Sequence, residues 1–509
     1  MNNLEYIKEV KNSQYISSVD KFLYKFIFIN IILNIFLYFF PNELAIITAY
    51  IFSIILFIIN FQRYLKPYFF VLFAQILIIS LINLTYLTFV LTALINKFAF
   101  DQTMSSLLIE FLYCDIHTYI FANLYLLIFC LSILIFNSFI PRQLIIALMN
   151  KINLTNFFYA PKGISVLMSL CILFEFFFFF TGISGSQQSG GFIIGDGEGD
   201  DKATWYTQLY NFVMHFHILL NILFIKTLNE KKLNTLSKIF LVLSFLSNFF
   251  FFGFYQRRNM VVFILINIIL YSLVLRKKIF SFKMIIVFVI SFFILIQAFT
   301  FLGTIRQLNI VDKDMSLIDV ISEGEVFSFF KDTNTNQLGK ETFSNNLQKR
   351  LLNNQELATL FYYESSEFLN GRLLFAQFIQ VIPSVVYVGK VDHASQEDLI
   401  TTKTNSPLYF MDTVDSLHSY SYIDFGFLGL IIYPLIINFL FFIFYKISTI
   451  KNLSNLTAIF ISALILELIT LRAIESNLTY WFVLIRNFFV FMFFFNFLLS
   501  KLDKKNINI

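Results

Sequence analysis

Arginine is the residue type that stands out by its position in this chain. Arg257 and Arg258 are adjacent in the stretch Gly253-Phe-Tyr-Gln-Arg-Arg-Asn-Met-Val-Val-Phe263, between two apolar runs each barely long enough to cross a bilayer. Arg306, Arg372 and Arg472 also stand beyond the ends of apolar runs, while Glu175, Glu467, Arg486, His215, His217 and Asp424 fall within or at the start of such runs. Ionisable groups are costly in hydrocarbon and usually face a cavity or a partner. Guanidinium groups are permanently charged planar forks that grip phosphate oxygens two at a time. Arginines gathered at one membrane depth, with a few carboxylates, suit an anionic lipid-linked substrate, and pyrophosphate above all. Ion pairs, for example Glu467 with Arg472 or Arg486, would account for some of the same residues with no chemistry.

The elements that must position these groups are membrane helices. A chain of 509 residues that is 58% hydrophobic and 14% charged, with 71 Phe and 16 Gly, is outside the range of soluble domains. A helix needs about 20 apolar residues to cross ~30 Å of hydrocarbon. Runs of that kind occupy 22–40, 44–61, 68–94, 117–139, 163–182, 204–225, 239–255, 260–275, 284–302, 421–445, 455–471 and 479–498. The expected fold is therefore an all-α polytopic membrane protein with about twelve transmembrane helices. The first run follows a charged stretch and no small-residue cleavage site follows it, so it reads as a retained helix.

An even number of crossings puts both ends of the chain on one side. The short segments on that side hold more than half of the 37 Lys and Arg residues, whereas Asp196, Glu198, Asp200 and Asp201 gather opposite. The positive-inside bias then places both termini in the cytoplasm. Arg257 and Arg258 face outward against that bias, either neutralised by something anionic or snorkelling to headgroups.

Three parts follow: 1–302 with the first nine helices, a large extracytoplasmic segment at 303–420, and 421–509 with the last three helices and a cytoplasmic tail. Within the large segment, Asp319–Phe330, Glu341–Tyr363 and Arg372–Tyr387 have helical apolar spacing, and Pro383 should kink or end the last of these. A segment of this size with its own periodicity is expected to pack on the bundle as a cap. Cys114, Cys130 and Cys171 lack metal or redox spacing. The acidic turn Gly195-Asp-Gly-Glu-Gly-Asp-Asp201 does not match an EF-hand and reads as a solvated flexible loop.

Three features stand in a particular order: the outward turn Phe252-Gly-Phe-Tyr-Gln-Arg-Arg258 joining two short helices, then the large late segment with Asn370-Gly-Arg-Leu-Leu-Phe375 and Val381-Ile-Pro383, then Ser421-Tyr-Ile-Asp-Phe-Gly-Phe-Leu-Gly429. In this layout, over roughly residues 200–500, the chain resembles the O-antigen and capsular oligosaccharide repeat-unit polymerases. Members often carry a basic residue directly after the Ile-Pro pair, where this chain has Ser384. The resemblance implies a glycosyltransferase of the bacterial cytoplasmic membrane. It would transfer a growing glycan from a polyprenyl-pyrophosphate carrier to a hydroxyl of the next lipid-linked oligosaccharide, outside the cytoplasm. The substrate carries its own leaving group, so neither metal nor cofactor is implied.

On that basis Arg257, Arg258, Arg306, Arg372 and Arg472 are the expected pyrophosphate contacts. Asp424, Glu364, Glu367 and His418 are the expected proton acceptors, in no set order. The expected partners are the lipid-linked oligosaccharide and the bilayer, with a chain-length regulator and a flippase, and no nucleic acid. A ligase that passes finished polymer to another acceptor would use the same donor and similar arginines. A lipid-linked oligosaccharide flippase would share the helix count, but would be expected to show pseudo-repeated halves.

Overall fold

The computed structural model describes residues 3–64, 69–100, 103–110, 113–151, 354–363, 368–382, 416–450, 455–470 and 477–483, with a few isolated positions besides. The described residues form helices and turns, with no strand among them. In chain order the helices are α1 (Asn3–Phe39), α2 (Glu43–Phe61), α3 (Phe73–Phe100), α4 (Met104–Glu110), α5 (Ile116–Asn137) and α6 (Arg142–Lys151). There follow α7 (Gln355–Tyr362), α8 (Arg372–Val381), α9 (Leu417–Phe425), α10 (Gly429–Ser448) and α11 (Asn455–Thr470).

Five stretches are long and apolar enough to cross a bilayer: Asn12–Phe39, Glu43–Tyr64, Phe73–Leu94, Ile116–Asn137 and Leu417–Ser448. The chain is accordingly a helical, multi-pass membrane protein. These stretches match the runs expected at 22–40, 44–61, 68–94, 117–139 and 421–445. The run at 455–471 is the shorter helix α11, and only the first part of 479–498 is described. The runs at 163–182, 204–225, 239–255, 260–275 and 284–302 lie outside the described residues.

The side chains are distributed as hydrocarbon demands. Phe28, Ile32, Phe36 and Phe39 on α1, Phe52, Ile55 and Ile59 on α2, and Ile431, Leu435 and Phe439 on α10 are exposed at spacings of three or four. Such a stripe would be a liability in water and is the natural lipid-facing surface of a spanning helix. The opposite faces of the same helices turn Asn30, Asn34, Tyr50, Ser53 and Asn438 inward, all buried. Helix α5 is central, with α1, α3, α7 and α10 packed around it.

Local chemistry sets where the helices start. Asn42 caps α2 by accepting from Ala45 N at 3.2 Å, and Asp115 caps α5 by accepting from Thr118 N at 2.7 Å, with the Thr118 hydroxyl reaching back to Asp115 N. Helix α3 begins at Phe73, later than the apolar run that starts at 68. The Tyr445 hydroxyl accounts for this: it donates to Val71 O at 2.7 Å and accepts from Phe73 N at 3.2 Å, holding the incoming chain in a turn.

The two ends of the bundle differ in charge. Lys21, Arg63, Arg142, Lys151 and Lys446 lie toward the end where α2 and α10 finish, and there the Lys151 ammonium donates to Ile450 O at 2.7 Å. Burial lowers the proton affinity of that ammonium below its ordinary value. The other end, where α1 hands over to α2, carries Glu43, Glu110 and Asp115, with Lys97 in the last turn of α3.

Tyr445→Phe leaves a buried N–H and a buried carbonyl at the α3 start without their partner. The expected loss is about 1–3 kcal/mol of stability, seen as a lower midpoint of thermal unfolding in detergent. An unchanged midpoint would contradict this role for the hydroxyl.

Candidate functional site

Helices α7, α8 and α9 come from the segment 303–420 and its junction with the last helices, and they build the polar centre of the described structure. All residues of α7 from Gln355 to Leu360 are buried, against α5. Helix α8 follows a turn in which Asn370 has φ 50° and Gly371 has φ 88°. Left-handed backbone is cheap only for glycine and tolerable for asparagine, which explains the Asn-Gly pair. The helix ends at Val381, just before Pro383, as the proline predicts.

The start of α8 is held by Asp424. One carboxylate oxygen accepts from Gly371 N at 2.8 Å and Leu373 N at 3.2 Å; the other accepts from Leu374 N at 2.9 Å and faces the Tyr433 hydroxyl at 3.4 Å. The backbone joins in, with Asn370 N donating to Asp424 O at 2.7 Å and Leu369 N to Ile423 O at 3.1 Å. The first N–H groups of a helix have no partner within it, and a carboxylate is the strongest acceptor available to them. The far end of α8 is held by a cation, because Arg486 Nη1 donates to Val381 O at 2.7 Å. Anion at the N-terminus and cation at the C-terminus both complement the helix dipole. Between them, Gln377 Oε1 accepts from Leu478 N at 3.1 Å.

Asp424, expected at the beginning of the run 421–445, stands near the end of α9, which together with α10 makes up the spanning stretch Leu417–Ser448. The chain breaks at Gly426, with φ 58° and ψ −136°, and resumes as α10 at Gly429. A Cβ on Gly426 would lie 2.7 Å from the Phe368 ring, and one on Gly429 would lie 2.0 Å from the Ser421 carbonyl oxygen. Three positions of Asp424-Phe-Gly426-x-x-Gly429 therefore have a physical cause: Asp424 is a clamp, Gly426 takes a left-handed backbone, and Gly429 sits at a backbone crossing too close for any side chain. The Tyr125 hydroxyl fastens this corner to α5, 3.0 Å from Ser421 Oγ and donating to Gly426 O at 3.1 Å.

The other end of α9 carries His418, fully buried, with Phe129 beside its ring. Its Nε2 is bonded to Asn354 Oδ1 and lies 3.4 Å from Ser416 Oγ. Its Nδ1 has no hydrogen-bond partner among the described residues. Asn354 Nδ2 donates in turn to Asn123 Oδ1. Asn123 Nδ2 donates to the Tyr50 hydroxyl at 2.6 Å, Tyr50 to Asn34 Oδ1 at 2.9 Å, and Asn34 Nδ2 to the Tyr86 hydroxyl at 2.9 Å. The Tyr50 and Tyr86 rings stack at 4.1 Å. Every member of this chain is buried.

Of the expected site residues, the structure places Arg372, His418 and Asp424 on the adjacent helices α8 and α9. Arg372 is exposed at the first position of α8, whereas His418 and Asp424 are buried. Glu364, Glu367, Arg257, Arg258, Arg306 and Arg472 lie outside the described residues, as do Glu175, His215, His217, Cys171 and the acidic turn 195–201. Among the described residues no group of three or more His, Cys, Asp or Glu side chains could hold a metal ion, and Cys114 and Cys130 are buried free thiols. Sequence reasoning missed the uncharged members, Asn34, Tyr50, Tyr86, Asn123 and Asn354, because it followed ionisable groups only. The signal was present in Asn30 and Asn34, four residues apart inside an apolar run, which puts two amides on one helix face.

Asp424→Ala leaves three backbone donors without an acceptor and is expected to cost ~3 kcal/mol or more, read as lost thermal stability of the purified protein. Asp424→Asn keeps one acceptor oxygen and should lie between. Full stability in both variants would contradict the clamp.

Comparison with protein-family models, with curated proteins and with solved structures gives no match for this chain.

Proposed function

We propose that this protein is an integral-membrane glycosyltransferase that joins polyprenyl-pyrophosphate-linked oligosaccharide repeat units into surface polysaccharide. The observation that carries this reading is the meeting of two distant motifs. Asn370-Gly-Arg372 and Asp424-Phe-Gly-x-x-Gly429 form one clamp, which sets an exposed arginine and a buried histidine on neighbouring helices. Lys21, Arg63, Arg142, Lys151 and Lys446 gather where α2 and α10 finish; the positive-inside bias makes that end cytoplasmic, with both termini, and the end where α1 hands over to α2 extracytoplasmic. About twelve spans, with Arg257 and Arg258 on the outer side, complete this topology.

In this mechanism Arg372, with Arg257, Arg258, Arg306 and Arg472, neutralises the diphosphate as it departs. The bond between the anomeric carbon and the phosphate oxygen breaks, and a new bond forms from that carbon to the acceptor hydroxyl oxygen. The hydroxyl proton passes to His418 Nδ1, the ring nitrogen with no hydrogen-bond partner among the described residues. Asp424 is occupied by three backbone donors and serves to position α8, so its part is to hold Arg372 in place. Glu364 and Glu367 remain the carboxylates that could share the proton.

Glycan analysis of a host lacking the gene, complemented with variants, tests this reading. Arg372→Ala is expected to cut transfer by roughly 10²–10³-fold, leaving single repeat units displayed without long chains. Arg372→Lys should also be impaired, since a point charge does not replace a planar fork. Full-length but unattached polymer in the deletion strain would mean a ligase instead. Repeat units accumulating in the cytoplasm would mean a flippase.

A further inference from the structure

The hydrogen-bond chain that ends at His418 has a direction, and that direction is fixed at its far end. Asn34 Nδ2 lies 2.9 Å from the carbonyl oxygen of Asn30, its own neighbour one turn earlier. A backbone carbonyl can only accept, so the amide NH2 must face it and Asn34 Oδ1 must face Tyr50. Tyr50 then has to donate its hydroxyl proton, across 2.9 Å, and its oxygen is left to accept from Asn123 Nδ2 at 2.6 Å. That turns Asn123 Oδ1 toward Asn354, which meets it with Nδ2. Asn354 has only Oδ1 left to offer the imidazole, and only an N–H on Nε2 satisfies it. Ser416 agrees independently: its Oγ donates to Ser419 Oγ at 2.6 Å, so toward the imidazole 3.4 Å away it presents a lone pair.

We infer that this chain, running from the Asn30 carbonyl through Asn34, Tyr50, Asn123 and Asn354, fixes His418 as the Nε2–H tautomer and so makes Nδ1 its proton-accepting atom, with Asn354 the positioning residue. The links come from α1, α2, α5, the entry to α7 and α9, so five separate elements agree on one proton position. Carboxamides neither gain nor lose a proton near neutrality. The chain therefore orients a base and does not conduct protons. To reverse it, each amide would have to turn over, and an amide oxygen would face the Asn30 carbonyl in a buried site where water cannot compensate. What Nδ1 does in a reaction rests on the transferase reading above; the tautomer itself does not.

The test uses the full-length protein in lipid bilayers with ¹⁵N-labelled histidine. The chain has five histidines, and the His418 signal is assigned by its loss in His418→Gln. A single Nε2–H form is expected for the unmodified protein. Tyr50→Phe cuts the chain midway without touching the ring, and is expected to add a second population protonated on Nδ1. Asn354→Leu should do the same, while Asn354→Asp, which still offers an acceptor oxygen, should restore the single Nε2–H form. An Nδ1–H form in the unmodified protein, or a single Nε2–H form that survives both Tyr50→Phe and Asn354→Leu, would overturn the inference. Normal polymer from His418→Gln with the tautomer as expected would overturn the transferase role of this histidine and leave the tautomer assignment standing.

Discussion

One carboxylate carries the organisation of the polar centre. A ten-residue helix, α8, has unpaired N–H groups at one end and unpaired carbonyls at the other. Packed against other helices at both ends, such an element is stable only if its terminal N–H and C=O groups find partners there. Asp424 supplies the acceptor at the first end and Arg486 the donor at the second. The remaining local features follow from getting Asp424 into place: the left-handed turn at Asn370 and Gly371, the break at Gly426, and the backbone crossing that only glycine at 429 permits.

Low dielectric explains why the second polar system is built from amides and hydroxyls. A lone charge buried there would be expensive, whereas a closed sequence of neutral donors and acceptors satisfies itself. Each interhelical hydrogen bond within a bilayer contributes only about 0.6–2 kcal/mol, so the chain from Asn34 to His418 is poorly explained as glue. Its consequence is orientational. It links the lipid-facing helices α1 and α2 to a histidine far along the sequence, and leaves one imidazole nitrogen unengaged among the described residues.

Much of the frame was legible in the sequence. Apolar run length located the five stretches able to span, because that length is set by the bilayer and not by tertiary detail. Pro383 marked the end of α8, and the order of Asn370-Gly-Arg and Asp-Phe-Gly-x-x-Gly drew attention to two segments that prove to touch. Less legible was what each polar residue does. Asp424 looked like part of the opening turns of one continuous membrane helix, because hydropathy averages over a window and cannot see the break at Gly426. The asparagines and tyrosines of the buried chain have modest hydropathy penalties, so they vanish inside apolar runs. Only their partners on other helices reveal them, and partnership is a property of packing. The pieces of 303–420 expected to cap the bundle are, where described, packed into it: α7 is buried on α5 and α8 is bound at both ends.

Amide hydrogen exchange at Gly371, Leu373 and Leu374 in lipid nanodiscs tests this central clamp most directly. If the Asp424 carboxylate holds these three N–H groups within the bundle, they should exchange as slowly as the amides in the middle of α5. Exchange at the rate of an open loop would mean that α8 is not held, and the site built on it would lose its foundation.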